Sequence, residues 1–300
     1  MLTGTRLIAD VNECALKPGE LALWWLGQHS FIVKLGATVV YIDPYLTPRQ
    51  ARLVAPLLEP REVTNADCIL GSHDHSDHID RPAWPALAKA SPHAKFVLAD
   101  LLRVRLAREL DMPLDRFAGL DDGKSFVVQS AGLRLASSRS ARITRRSRLA
   151  RDAGAGGVKV SGIAAAHEFL EQDPATGRYP HLGCVLEGNG CALYHSGDCC
   201  IYEGLQTKLR KWRLDVVILP INGRDAKRYA EGCIGNMTYQ EAADLAGALQ
   251  PRLTIPAHYD MFANNLGDAA AFSDYMRVKY PKLQVHVCRH GERFVLPRAG

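Results

Sequence analysis

The chain has 300 residues, 47% apolar and 23% charged, with a net charge of +5. That is enough apolar material for a sizeable core, yet no window approaches the roughly 18 continuous apolar residues of a membrane helix. The eight cysteines show no CxxC and no regular spacing, so they are expected to be reduced thiols of a cytoplasmic protein. The N-terminal stretch carries Asp10, Glu13 and Glu20 without an apolar run, and is not expected to be a signal peptide.

The opening reads as strands over Leu21–Leu26, Ser30–Leu35 and Thr38–Asp43, the last two joined by a tight turn at Gly36-Ala37. A mostly apolar run, Asp67–Leu70, reads as a buried strand. Next come a helix near Ala83–Ala90, a strand Lys95–Ala99 and a helix Leu101–Leu110. Strands are expected over Phe126–Gln129 and Leu133–Ala136. A stretch at about 138–157 then interrupts the pattern. Its Arg139, Arg142, Arg145, Arg146, Arg148 and Arg151 hold six positive charges with no acid among them, and the rest of the chain is close to neutral. It is expected to be a basic surface insertion without a catalytic role.

Strand Val158–Ala165 resumes the sheet. Gly183–Glu187 and Ala192–His195 are expected to pair across Gly188-Asn-Gly190. The last third alternates: strand Asp215–Leu219, helix Thr238–Leu249 capped by Thr238 with Glu241 at its third position, strand Leu253–Ile255, helix Ala269–Lys279. No linker or repeat divides the chain, so residues 1–300 are expected to form a single α/β domain of two sheets with outer helices.

Residues 71–80 read GSHDHSDHID. His73 and His75 are two apart and share a face of an extended backbone. Asp77 and His78 follow at once and project elsewhere. Imidazole plus carboxylate suits zinc, manganese or iron. Three more positions repeat one design, an apolar strand, then small residues, then a ligand: His167 in AAAHE, Asp198 in HSGD and His258 in IPAHYD. One ion cannot use five imidazoles and two carboxylates, whereas two ions can. His73, His75 and His167 are assigned to one, and Asp77, His78 and His258 to the other, with Asp198 bridging. Asp43 and His195 are expected to orient these ligands. His29, His93, His181, His286 and His290 read as ordinary packing or surface histidines, and Cys199 as an apolar filler. Arg224, Lys227, Arg228 and Tyr259 are candidates for substrate contact.

HDHSDH is similar to the H-x-H-x-D-H signature of the metallo-β-lactamase superfamily, and His167, Asp198 and His258 follow in that superfamily's order. Within it, LWWLGQHSFIVKLG, SHDHSDHID, LYHSGD and the final NMTYQEAADLAGALQPRLTIPAHYDMFANN resemble the ascorbate-6-phosphate lactonase branch. The resemblance implies an αββα sandwich with a dinuclear site at one edge, hydrolysis, a cytoplasmic location and a homo-oligomer. The expected reaction is attack of a metal-activated hydroxide on a small, anionic lactone or ester, with Asp77 and Asp198 as catalytic ligands. A phosphodiesterase or nuclease on the same fold is the alternative, and a non-hydrolytic redox protein a further one. Neither a nucleic-acid partner nor a membrane is expected.

Overall fold

The computed structural model describes residues 1–130 and 157–298. The expected strand Leu133–Ala136 and residues 138–156 of the arginine-rich stretch lie outside them. Strands β1 (Leu21–Gly27), β2 (Ser30–Leu35), β3 (Thr38–Ile42), β4 (Cys68–Leu70), β5 (Lys95–Ala99) and β6 (Phe117–Leu120) begin the first sheet. Strands β7 (Ser125–Val128), β8 (Val158–Ala164), β9 (Leu182–Gly188), β10 (Cys191–His195), β11 (Val216–Pro220), β12 (Leu253–Ala257) and β13 (Gln284–Val285) form the second. Strand β14 (Arg293–Leu296) returns to the first. The helices are α1 (Gly4–Glu13), α2 (Trp84–Ala90), α3 (Asp100–Glu109), α4 (Leu205–Leu209), α5 (Ala226–Ala230), α6 (Tyr239–Leu249) and α7 (Ala269–Lys279).

Each sheet has seven strands, in the orders β14-β1-β2-β3-β4-β5-β6 and β13-β12-β11-β10-β9-β8-β7. Both are mixed. β3 to β6 run parallel, as do β10 to β13. β8 and β10 are each antiparallel to β9 and so point the same way. This is the layered α/β architecture that the strand pattern predicts.

The alternation of a strand explains how two cores form. Val216 and Ile218 of β11 enter the core shared by the two sheets, beside Leu186, Leu193 and Ile255 and facing Leu23, Val33 and Val40. Val217 and Leu219 point the other way. They meet Ala242, Leu245 and Ala246 of α6 and Phe272 and Met276 of α7. On the first sheet, α1 buries Leu7, Ile8 and Val11, and its Asp10 accepts a bond from Trp24 Nε1 at 2.8 Å.

Local signals act where they are strongest. Asn189 and Gly190 both take positive φ, 52° and 78°, the geometry a tight hairpin turn needs. At the start of α6, Glu241 N donates to Thr238 Oγ1 and Thr238 N to Glu241 Oε2, a reciprocal cap. Strand β4 begins one residue later than expected. Asp67 adds its side chain to its backbone bonds, accepting from Val39 N at 2.9 Å while its own N donates to Val39 O. Helices α1, α4 and α5 and strands β6, β13 and β14 add to the expected elements. No helix among the described residues is long and apolar enough to cross a membrane.

Candidate metal centre

Strand ends aim the site. Asp43 follows β3, the motif His73–His78 follows β4, His167 follows β8, Asp198 follows β10 and His258 follows β12. Parallel neighbours end on one edge, so these residues meet there although they are spread over most of the chain. The motif loop is held from beneath. Asp80 accepts from Leu46 N and Thr47 N, both at 2.7 Å, and Ile79 N donates to His75 O at 2.8 Å. Four non-glycine residues at or beside the site adopt positive φ: Gln28 (53°), Asp43 (45°), Glu168 (69°) and His258 (59°). Such conformations cost about 1–2 kcal/mol each and concentrate where function requires them.

The side chains form two groups. In the first, His73 Nε2 lies 3.0 Å from His75 Nδ1, and His167 Nε2 lies 3.2 Å from the same atom. In the second are Asp77, His78 and His258. His78 Nε2 is 3.6 Å from Asp77 Oδ2 and 3.3 Å from Asp198 Oδ1. His258 Nε2 is 3.1 Å from Asp198 Oδ2. Asp198 also reaches the first group, with Oδ2 3.7 Å from His167 Nε2. It therefore lies between the groups, as a bridging ligand would.

Outer partners fix which ring nitrogen faces inward. His167 Nδ1 donates to Gly235 O at 3.2 Å, leaving Nε2 for the centre. His73 Nδ1 lies 3.0 Å from Ser72 Oγ, which itself donates to Asp43 Oδ2. His78 Nδ1 donates to Asp43 Oδ2 at 2.7 Å. Asp43 is thus an orienting group for His78. His195 accepts from Gly197 N at 3.2 Å and donates through Nε2 to His29 O at 3.0 Å, outside the ligand atoms.

The two groups differ electrostatically. Burial holds His73 well below the usual imidazole range and pushes His167 down to about 4. His75 is lowered by the same cause. Three neutral imidazoles thus present lone pairs to one point. In the second group burial opposes charge but the neighbours win. Asp198, Asp77 and Asp43 raise His78, and Asp198 raises His258. Against the same burial, His258 and His78 hold Asp198 well below the usual carboxylate range. His78 Nε2 is buried and, although 3.3 Å from Asp198 Oδ1, makes no well-aligned hydrogen bond among the described residues. Converging neutral imidazoles, a carboxylate-bearing group and this unbonded ring nitrogen together fit divalent cations.

Three buried residues join the site that the sequence reading did not single out. Gln28 Nε2 donates to Asp77 Oδ2 at 2.9 Å. His29, read above as an ordinary packing histidine, lies 3.4 Å through Nδ1 from Asp198 Oδ1. Asn236 Nδ2 donates to Asp198 Oδ2 at 3.0 Å. Both segments sit in the stretches LWWLGQHSFIVKLG and NMTYQEA, so the signal was present without a role attached. His181 also lies near, its ring 5.5 Å from that of His73 and 5.6 Å from that of His167.

The candidate substrate contacts are placed otherwise. Arg224 makes two bonds to Glu241, at 2.6 and 2.7 Å. Arg228 bonds Asp225 and Leu266 O, and Lys227 is exposed on α5. The Tyr259 ring packs 5.2 Å from that of Trp25 and lines a neighbouring cavity of about 720 Å³ with Trp25 and His290. His290 pairs there with Asp260 at 2.5 Å. His93 is exposed, and the His286 ring packs at a tilt 4.3 Å from that of Phe294. Cys199 is fully buried, its thiol pushed up to about 12 by burial.

Residues 38–259 match the family model described as the β-lactamase superfamily domain. The chain belongs to that superfamily. The matched segment of this superfamily member contains every residue assigned to the two groups, from His73 to His258, and Asp43 as well, but not Gln28 or His29. The UPF0173 metal-dependent hydrolase of Caldivirga maquilingensis is 24% identical over 92% of this chain and 98% of its own. That of Aeropyrum pernix is 24% identical over 91% and 96%. The solved structure of Igni18, a metallo hydrolase from Ignicoccus hospitalis, shares the fold, with a TM-score of 0.64 at 19% identity over 92% of this chain and 98% of that one.

Proposed function

We propose that the chain is a metal-dependent hydrolase with two divalent cations, zinc or manganese and alternatively iron, acting on a small carboxylic ester or lactone. The observation that carries this reading is the convergence of seven side chains into two groups that share Asp198. His73, His75 and His167 would hold one cation, and Asp77, His78 and His258 the other. Divalent cations supply Lewis acidity, acidifying water and polarising a substrate oxygen.

The chain's own groups do the rest. Asp43 aims His78, and Gly235 O aims His167. Asp198 stays ionised and is held by Asn236, so it offers a fixed anionic carboxylate between the groups. Arg224 and Arg228 are paired with Glu241 and Asp225, which weighs against their binding an anionic substrate. The loops beside the site instead expose apolar side chains. Phe169, two residues past His167, is 69% exposed, and Ile201 in the loop after Asp198, Tyr229 on α5 and Ile234 beyond it are exposed as well. These favour a neutral substrate with an apolar substituent. The lactone or ester class follows the sequence resemblance, and a homo-oligomer is part of the same proposal.

The test pairs metal analysis of the purified protein with an activity panel of lactones, esters, phosphodiesters and β-lactams. Two metals per chain and the highest kcat/KM on a neutral ester or lactone are expected, and chelation should abolish turnover. Higher kcat/KM on a phosphodiester than on every ester and lactone would overturn the substrate class.

A further inference from the structure

We infer that the turn joining β1 to β2 is a positioning element of the metal centre, with Gln28 setting Asp77 and His29 setting Asp198. This rests on the reading of the two groups as a metal centre, and it concerns residues that lie before the segment matching the superfamily model.

The backbone of Gln28 is engaged on both sides. Gln28 N donates to Asp260 Oδ1 at 2.8 Å. Its carbonyl accepts from Trp25 Nε1 at 3.0 Å and from His258 N at 2.9 Å. Those bonds hold Gln28 at a φ of 53°, an unusual conformation for a residue with a side chain. They also tie the turn directly to the ligand His258. Ser30, next in the chain, donates through Oγ to Asp43 O at 2.5 Å. One turn thus touches the second group, the carboxylate between the groups and the orienting Asp43.

The side chains supply the chemistry. Gln28 is buried, and its Nε2–H donates to Asp77 Oδ2, the oxygen that faces both His78 Nε2 and His258 Nε2. A donor on that oxygen fixes the carboxylate's orientation beside the two rings, and the same amide lies 3.2 Å from His258 Nε2, so one side chain spaces two members of the group. His29 is fully buried. Its ring lies 3.9 Å from that of His195, which also bonds its carbonyl, so it cannot swing. A proton on Nδ1 makes it a donor to Asp198 Oδ1 across 3.4 Å. Both carboxylates are thereby fixed before any cation arrives.

The test uses metal-stripped full-length protein titrated with zinc by calorimetry, with far-UV circular dichroism as the fold check. Gln28→Met keeps the volume and removes the donor. It should bind zinc about 10–100-fold more weakly, the usual effect of losing an outer partner of a ligand. His29→Ala should show a similar loss, and His29→Asn, which returns an N–H near the Nδ1 position, should recover most of it. Folded Gln28→Met and His29→Ala that bind zinc within about twofold of the parent would overturn the inference, leaving the proposed function untouched. If His29→Ala fails to fold, Gln28→Met alone decides. A parent protein that binds no divalent cation would instead refute the metal-centre reading and this inference with it.

Discussion

Replacing Gly197 with alanine probes the closeness on which the centre depends. Gly197 has a φ of +58°, and a Cβ there would lie 2.6 Å from Leu182 O and 3.0 Å from Ser72 Cβ. The left-handed backbone costs an alanine about 1–2 kcal/mol. Forcing apart the start of β9 and the loop after β4 adds about 1–3 kcal/mol. The expected loss is therefore about 2–5 kcal/mol. Gly204→Ala is the control, because Gly204 has a φ of +91° with nothing within 4 Å of the added carbon. It should lose only the conformational part, about 1–2 kcal/mol. Urea unfolding of both metal-free variants, with unchanged m values, reads the difference. Gly197 also precedes Asp198, so only the first variant should weaken zinc binding. Equal losses in the two variants, or unaltered zinc affinity in Gly197→Ala, would refute the reasoning.

Arg224→Ala should cost no more than about 1 kcal/mol, since its pair with Glu241 is partly exposed, and should leave KM for a neutral ester unchanged. A rise of about tenfold, ~1.4 kcal/mol of binding, would put the guanidinium on the substrate. In thiol titration of the native protein at pH 8, Cys233 should react first, because the other cysteines are buried, Cys288 with its thiol pushed up to about 12. A fast thiol that persists in Cys233→Ser would contradict this. Deleting residues 139–151 should leave turnover of a small substrate nearly unchanged. A large loss with metal content intact would show that the segment reaches the site.

Much of this was legible because the strongest local rules agreed with the tertiary structure. Asn189-Gly190 has little choice but the hairpin turn, and Thr238 with Glu241 cap α6 as their spacing dictates. The grouping of His73 and His75 against Asp77 and His78 matches the expectation, but a turn separates them, with His78 N and Ile79 N donating to His75 O, and not the alternation of a strand. Other features lacked a local signature. β14 and β13 are short edge strands, and α1 carries no acid in its first turn and no capping side chain. Gln28 and His29 gain their meaning from partners up to 232 residues away. A lone histidine on a strand-rich stretch carries no mark that a distant carboxylate will come to rest beside it.

The ligand loops hang from opposite sheets. His73, His75, Asp77 and His78 belong to the first, and His167, Asp198 and His258 to the second. His75 and His167, whose nitrogens nearly touch, are 92 residues apart in the chain. A cation held by both closes a loop that, as a permanent cross-link, would be worth about 4–5 kcal/mol in chain entropy. The centre is then also a clasp. A chelator that silences the chemistry should therefore also lower the free energy of unfolding, while the apolar core shared by the sheets keeps them together.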